Sequence, residues 1–139
     1  MENKMKLEFI NESCNEKFAR MTAVSFAACL DPTVEEIAEI KTAISEAVTN
    51  AIVHGYENTK GVVTLSGSIH NNTITFTVHD DGCGIEDIKK AREPLYTGKS
   101  ESERSGMGFS IMECFMDDVK VESTPGEGTT VTMIKEISK

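Results

Sequence analysis

The chain has 139 residues, a formal net charge of −9 and a pI near 4.8. This length suffices for one hydrophobic core, so we expect a single domain across residues 1–139. Acidic residues are spread along the chain, which disfavours generic attraction to nucleic acid or to an anionic membrane. The sequence shows neither an apolar membrane span nor the apolar core of a signal peptide. We therefore expect a cytoplasmic protein whose partner is another protein.

The cysteines give no sign of a metal or disulfide site. Cys14, Cys29, Cys83 and Cys114 form neither a Cys-x-x-Cys pair nor a zinc spacing. We expect reduced, structurally incidental thiols.

The first half of the chain predicts a strand and two helices. Apolar residues at 7 and 9 indicate the strand, and a capping box at 13–16 begins a helix that ends near Asp31-Pro32. A second capping box at 33–36 begins the best-defined helix, whose apolar stripe continues to Gly55.

The second half is richer in strands, because its apolar residues alternate with polar ones. The fold class is therefore α+β: a two-layer sandwich in which helices cover one face of a mixed, mostly antiparallel sheet. The predicted elements are a hairpin of residues 63–69 and 74–78, a short helix at 86–92, a long loop, a helix at 107–115, and strands at 119–123 and 129–134 joined by a turn at 125–128. Within the helix at 107–115, Ile111, Met112 and Phe115 are expected to face inward.

Glu46 and Asn50 form the first candidate motif. Both lie on the second helix, about one turn apart, and face away from its apolar stripe. A solvated helix face is the alternative, but the surrounding segment is poor in charge and Glu46 is its only acid. A functional pair is therefore a serious hypothesis.

Asp80, Gly82 and Gly84 form the second motif, at the end of a predicted strand. A carboxylate there can accept a hydrogen bond from the amino group of a flat base, and glycines let a base approach the backbone closely. A plain Asp-Asp-Gly turn is the alternative.

Gly106-Met107-Gly108 forms the third motif, immediately before a helix whose backbone amides would suit phosphate oxygens. Ser105 adds a hydroxyl donor. Arg92, Lys99 and Arg104 lie in the long loop upstream, and their charges would offset the repulsion of a polyphosphate by an acidic protein. A flexible helix start is the alternative.

The three motifs, in this order, resemble the N, G1 and G2 boxes of the GHKL ATP-binding superfamily, which includes gyrase-type ATPases and histidine kinase catalytic domains. Over nearly its full length the chain is also similar to sporulation anti-sigma factors of that superfamily, which are serine protein kinases of endospore-forming bacteria. The segments that carry this closer similarity are residues 15–20, 40–56, 103–109 and 111–118.

This resemblance implies a role for each matching residue. Glu46 would be the general base that receives the proton of a protein serine, and Asn50 would offer its amide oxygen to Mg²⁺. Asp80 would bind the adenine amino group of ATP or ADP. The other residues expected around the nucleotide are His54, Gly82, Gly84, Thr97, Lys99, Arg104, Ser105, Gly106, Met107, Gly108 and Thr130.

The resemblance also implies protein partners. Arg20 would lie on the surface that binds the sporulation sigma factor F. A serine of the anti-anti-sigma factor would receive the γ-phosphate of ATP. The chain would form a homodimer. Departures from the family pattern are Gly98 and Ser100, which we expect to loosen the ATP lid, and Cys83, which we expect to leave adenine binding intact.

Two other functions remain open from the sequence. One is a non-catalytic, nucleotide-gated module that binds the sigma factor, although a pure binder would not need Glu46. The other, less favoured, is a histidine kinase catalytic domain without its phosphoacceptor helix.

Overall fold

The computed structural model describes residues 1–56, 59–85 and 108–138, which form a layer of helices on a five-stranded sheet. The α+β prediction is confirmed. None of the helices in these ranges is long and apolar enough to cross a membrane. The elements are β1 (Glu2–Ile10), α1 (Asn15–Ala27), a 3₁₀ turn (Ala28–Leu30), α2 (Val34–Thr49), a π-helical segment (Asn50–Gly55), β2 (Val62–His70), β3 (Thr73–Asp80), α3 (Gly108–Phe115), β4 (Asp118–Thr124) and β5 (Gly128–Glu136).

The strands are ordered β1-β2-β3-β5-β4, and all four pairings are antiparallel, so the described strands form an antiparallel sheet and not the mixed one that was predicted. Side chains alternate between the two faces of each strand, as the pleat requires. The predicted hairpin, the two late strands and the turn between them are confirmed. The helix predicted at 86–92 and the loop after it lie outside the described residues.

The core lies between the helices and one face of this sheet. Ile74, Phe76 and Val78 of β3 point into it, and the Phe76 ring packs edge-on against Phe26 of α1 at a centroid distance of 6.3 Å. In the helix layer, α2 lies between α1 and α3. Two of the three predicted inward residues of α3, Ile111 and Phe115, are only half-buried.

The two predicted capping boxes have different outcomes. At α2, Thr33 Oγ1 accepts from the Glu36 N–H at 3.0 Å, and Glu36 Oε1 accepts from the Thr33 N–H at 2.9 Å. At α1 the box does not form, because the Glu16 N–H donates to the carbonyl oxygen of Ser13 instead of its hydroxyl. The residue before α1, Cys14, is itself helical in conformation, whereas a capping residue needs an extended one.

Candidate functional site

The first and third motifs meet where α2 ends and α3 begins. A Cβ built on Gly108 would lie 3.2 Å from Asn50 Nδ2 and 3.4 Å from Glu46 Oε1. Gly108 is buried, and Glu46 and Asn50 are half-buried. The absence of a side chain at residue 108 thus lets the backbone of α3 approach both polar groups.

Asn50 carries an unusual polar atom. Its Oδ1 is buried and has no hydrogen-bond partner among the described residues. An unsatisfied buried acceptor costs about 1–3 kcal/mol, so a folded protein rarely keeps one without a use. An amide oxygen is a suitable ligand for Mg²⁺, which commonly takes few protein ligands and completes its shell with phosphate and water oxygens. The Asn50 oxygen is therefore a suitable ligand for the Mg²⁺ that the family resemblance implies.

No group of three or more His, Cys, Asp and Glu side chains is arranged to hold a metal ion in the described ranges. A site that relied on Asn50 and on nucleotide phosphates would need no such group.

The helix that carries Glu46 changes character at Asn50. The sequence predicts one continuous helix to Gly55, but the structure has a π-helical segment over Asn50–Gly55. Short π-helical insertions are rare and often occur at functional sites. This segment ends with Gly55 beside the second motif, where a Cβ at residue 55 would lie 2.8 Å from Asp80 Oδ1.

His54 lies in the same π-helical segment. Its carbonyl oxygen accepts a hydrogen bond from the Cys83 thiol, with an S···O distance of 3.2 Å. This contact connects the segment to the second motif, and a role for the His54 ring near the phosphates stays a prediction. None of the four cysteines forms a disulfide, and all four are exposed.

Asp80 is the last residue of β3 and is almost completely buried, with 4% of its surface exposed. Its Oδ1 accepts from the Gly82 N–H at 2.9 Å. Burial raises the pKa of the Asp80 carboxyl and Asp81 adds to the effect, while the Gly82 N–H, His79 and the Thr129 N–H oppose it. A buried carboxylate held in this way is a selective acceptor for an amino group.

The glycines after Asp80 are required by the protein's own packing. A Cβ on Gly82 would overlap the carbonyl oxygen of Gly55, and a Cβ on Gly84 would overlap that of Thr124. Gly84 also has a φ of +77°, a conformation that favours glycine. From the sequence we expected these glycines to make room for a base, whereas backbone already fills the space where their side chains would lie.

The loop of residues 81–85 is anchored by backbone hydrogen bonds on both sides. The Cys83 N–H donates to Gly55 O at 2.8 Å, and Cys83 O accepts from the Gly126 N–H at 2.6 Å. The loop of the second motif is therefore fixed to the end of the π-helical segment and to the β4–β5 turn.

Tyr56 is a residue of this site that the motif analysis missed. Its hydroxyl accepts from the Asp81 N–H at 2.6 Å and donates to Val62 O at 2.7 Å. Burial raises the pKa of Tyr56, so the hydroxyl keeps its proton and both hydrogen bonds. The sequence feature that could have identified Tyr56 is its position at the end of the 40–56 segment, which carries the family similarity.

The structure places Thr130 on the sheet face that Asp80 does not share. The Thr130 hydroxyl lies 2.7 Å from His79 Nδ1, on the sheet face opposite to the helices. Asp80 instead pairs with Thr129, and both are buried on the helix side. Because successive strand residues point to opposite faces, Thr129 is the threonine that shares the face of Asp80. Its hydroxyl lies 2.8 Å from Ser123 Oγ.

The predicted lid lies outside the described residues. This includes the site residues Thr97, Lys99, Arg104, Ser105, Gly106 and Met107, and also Arg92, Gly98 and Ser100.

Arg20, the predicted partner residue, lies on α1 beside Glu16. Their closest charged atoms are 3.7 Å apart, and the two side chains are 26% and 20% exposed. Arg20 Nε and Glu16 Oε2 are buried and have no hydrogen-bond partner among the described residues. The outward face of the same helix exposes Phe18 and Met21, at 54% and 52% of their surfaces.

Comparisons with known proteins show the family of this chain. The sequence-family model of the histidine kinase-like ATPase domain matches residues 13–135. The chain is 58% identical to an anti-sigma F factor of Thermoanaerobacter sp. (strain X514) over 135 residues, which cover 97% of this chain and 94% of that protein. It is 55% identical to the anti-sigma F factor of Bacillus subtilis (strain 168), covering 100% of this chain and 96% of that protein.

A solved structure shares the fold. The crystal structure of the RsbU and RsbW domains of a Mycobacterium tuberculosis protein superimposes with a TM-score of 0.71 at 19% identity. The match covers 99% of this chain but 32% of that one, so this chain spans about a third of the solved protein.

Proposed function

Because this chain belongs to the anti-sigma F factors, which are built on a histidine kinase-like ATPase domain, we propose that it is an ATP- and Mg²⁺-dependent serine kinase that also binds and inhibits sigma factor F. Its phosphate acceptor is a serine of the anti-anti-sigma factor. The chain acts in the cytoplasm as a single domain and forms a homodimer.

The observation that supports the kinase proposal best is the meeting of Glu46, Asn50 and Gly108. A carboxylate, an unsatisfied amide oxygen and a helix N-terminus lie within one small volume. These are a proton acceptor, a cation ligand and a phosphate-binding group, which are the parts that phosphoryl transfer needs. A protein that only bound a sigma factor would need none of them.

In the proposed transfer, the serine oxygen of the protein substrate attacks the γ-phosphorus of ATP. The bond from that phosphorus to the β,γ-bridging oxygen breaks, and ADP leaves. Glu46 receives the serine proton, so its carboxylate must be ionised at the start of the step. Mg²⁺, when bound, would neutralise charge on the phosphates, and Asn50 Oδ1 is the protein oxygen that would hold it.

The adenine end of ATP would be recognised by Asp80. Its buried carboxylate would accept a hydrogen bond from the adenine amino group, and Thr129 lies on the same face of the sheet. Backbone hydrogen bonds already hold the loop after Asp80, so this loop would lose little conformational entropy when adenine binds beside it.

The sigma factor would bind at α1, through Arg20. The orphaned Nε of Arg20 is a donor that the described part of the chain does not use. Because that atom is buried and the Arg20 side chain is 26% exposed, a carboxylate from the partner would bind the exposed part of the guanidinium group, and charged hydrogen bonds of this kind are strong.

Phosphorylation of the anti-anti-sigma factor with labelled ATP tests the kinase proposal. Glu46→Gln keeps the size of the side chain but cannot accept a proton, so we expect the turnover number to fall about 10²- to 10⁴-fold. ATP affinity should change little. Glu35→Gln, which alters an exposed glutamate of the same helix, is the matched control and should retain activity. Equal rates for Glu46→Gln and wild type would refute the assignment of the general base.

Sigma factor capture with ATP, with ADP and without nucleotide tests the anti-sigma proposal. A chain that captured the sigma factor in a nucleotide-dependent way but transferred no phosphate would be a nucleotide-gated binding module instead of a kinase. No capture under any of the three conditions would refute the anti-sigma proposal, and equal capture in all three would rule out the nucleotide-gated module.

A further inference from the structure

Lys135 on β5 is a buried lysine on the helix side of the sheet. Its side chain is 9% exposed, although lysines are almost never buried unless they are paired. It is one of three buried polar or charged residues among those that the structure describes, and the other two, Asp80 and Thr129, belong to the site above.

The Lys135 ammonium group connects three elements. Its Nζ lies 2.9 Å from Glu39 Oε1 on α2 and donates to the carbonyl oxygen of Phe115, the last residue of α3, at 2.8 Å. The last carbonyls of a helix lack partners within the helix, and a positive charge there is also favoured by the helix dipole. Lys135 thus joins β5 to both helices that form the candidate site.

These contacts fix one end of an antiparallel helix pair whose other end is the site. Along α2, Glu39 precedes Glu46 by about two turns, and along α3, Phe115 follows Gly108 by about two turns. Each helix therefore extends about 10 Å from Lys135 to the point where Gly108 meets Glu46 and Asn50. A shift of α3 along α2 would change the contact at Gly108 directly.

We propose that Lys135 is a positioning residue that sets the placement of α3 along α2 and so holds Gly108 against Glu46 and Asn50. It touches neither nucleotide nor protein substrate in this role. This inference rests on the proposed kinase function for its kinetic consequence, but the positional consequence can be measured without any activity.

The positional test is a comparison of NMR spectra of the full chain. Lys135→Met keeps most of the side-chain length without a donor, and Glu39→Gln removes the charge of the partner but keeps an acceptor. We expect both to shift the backbone amide signal of Gly108 and the side-chain amide signal of Asn50. Lys120→Met and Glu35→Gln, at exposed positions of β4 and α2, are the matched controls and should leave both signals in place. An unshifted Gly108 signal in the folded variants would overturn the proposal.

The kinetic test separates positioning from general stability. We expect Lys135→Met to lower the single-turnover rate of phosphate transfer about 10- to 100-fold per folded molecule, with an unchanged KM for the protein substrate. A rate equal to wild type per folded molecule would overturn the inference. If Lys135→Met does not fold, Glu39→Gln gives the same readouts and decides the question. An inactive wild-type chain would count against the proposed function alone, since the Gly108 signal still tests the placement of α3.

Discussion

Gly108 at the start of α3 lies directly against Asn50, the first residue after α2. A Cβ at residue 108 would be 3.2 Å from Asn50 Nδ2, which is closer than most side-chain contacts. The same Cβ would be 3.4 Å from Glu46 Oε1. Two motifs that are far apart in sequence therefore depend on each other's geometry, and a single methyl group would disturb both.

Gly108→Ala tests this dependence. We expect phosphate transfer to fall about tenfold or more, because small displacements of catalytic groups have large effects on rate. The free energy of unfolding should change by less than about 1 kcal/mol, since alanine favours the helix while its methyl group crowds the contact. Chemical denaturation and transfer kinetics measure the two effects, and Ser110→Ala in the same helix is the control. Full activity in Gly108→Ala would show that the contact has no functional role.

Asp80→Asn should separate function from stability. Loss of the carboxylate should weaken ATP binding about tenfold or more, as measured by titration with a fluorescent analogue. Burial raises the pKa of Asp80, so its contribution to stability is present below its ordinary pKa of 3.8 and is lost as the pH rises through the higher folded value. The variant should therefore be more stable than wild type at pH 7, and this difference should close toward pH 3.

The control for Asp80→Asn is Asp81→Asn, because the Asp81 side chain is 76% exposed. We expect that variant to keep nucleotide affinity within about twofold. An Asp80→Asn protein that bound ATP as tightly as wild type would remove Asp80 from the adenine site.

Thr129→Val and Thr130→Val distinguish the two threonines of β5. Both substitutions remove a hydroxyl from the same strand, but only Thr129 lies on the face of Asp80. We expect Thr129→Val to lower ATP affinity about 5- to 30-fold, the effect of one lost hydrogen bond, and Thr130→Val to lower it by less than about twofold. The opposite order of affinities would restore the original assignment of Thr130.

Glu36 at the start of α2 gives a prediction about pH and stability. Hydrogen bonds from the backbone N–H groups of Thr33 and Ser138 lower the pKa of the Glu36 carboxyl. Its contribution to stability is therefore present above its ordinary pKa of 4.5 and is lost as the pH falls through the lower folded value.

We accordingly expect Glu36→Gln to lower the free energy of unfolding by about 0.5–1 kcal/mol at pH 7. At pH 2 to 3 the variant and wild type should differ little. Urea denaturation at both pH values measures this, with Glu35→Gln as the exposed control on the same helix. An equal loss at both pH values would show that the charge of Glu36 is not involved.

Local signals in the sequence predicted most of the fold. The capping box at Thr33 and Glu36, the alternation of β2 and β3 and the turn at residues 125–128 each depend on neighbours along the chain, and each is found. The pairing of Glu46 with Asn50 follows from helical spacing alone, and the structure adds Gly108 to it.

Features that depend on distant contacts could not be predicted from the sequence. Gly82 is glycine because the carbonyl group of Gly55 packs against it, and no local pattern reveals that contact. The choice between Thr129 and Thr130 depends on which strand residue pairs with Asp80. The sequence does not distinguish Lys135 from an ordinary surface lysine, because the fold is what brings Glu39 and Phe115 into contact with it.

The central claim is that Glu46, Asn50 and Gly108 surround the metal and phosphates of bound ATP. Paramagnetic Mn²⁺ in place of Mg²⁺ tests it most directly, because it broadens the NMR signals of nearby groups. In the full chain saturated with Mn²⁺ and ATP, we expect the Asn50 side-chain amide signal to disappear. The amide signal of Asn71, in the distant β2–β3 turn, should remain. A sharp Asn50 signal under the same conditions would show that Asn50 does not lie beside the metal of bound ATP.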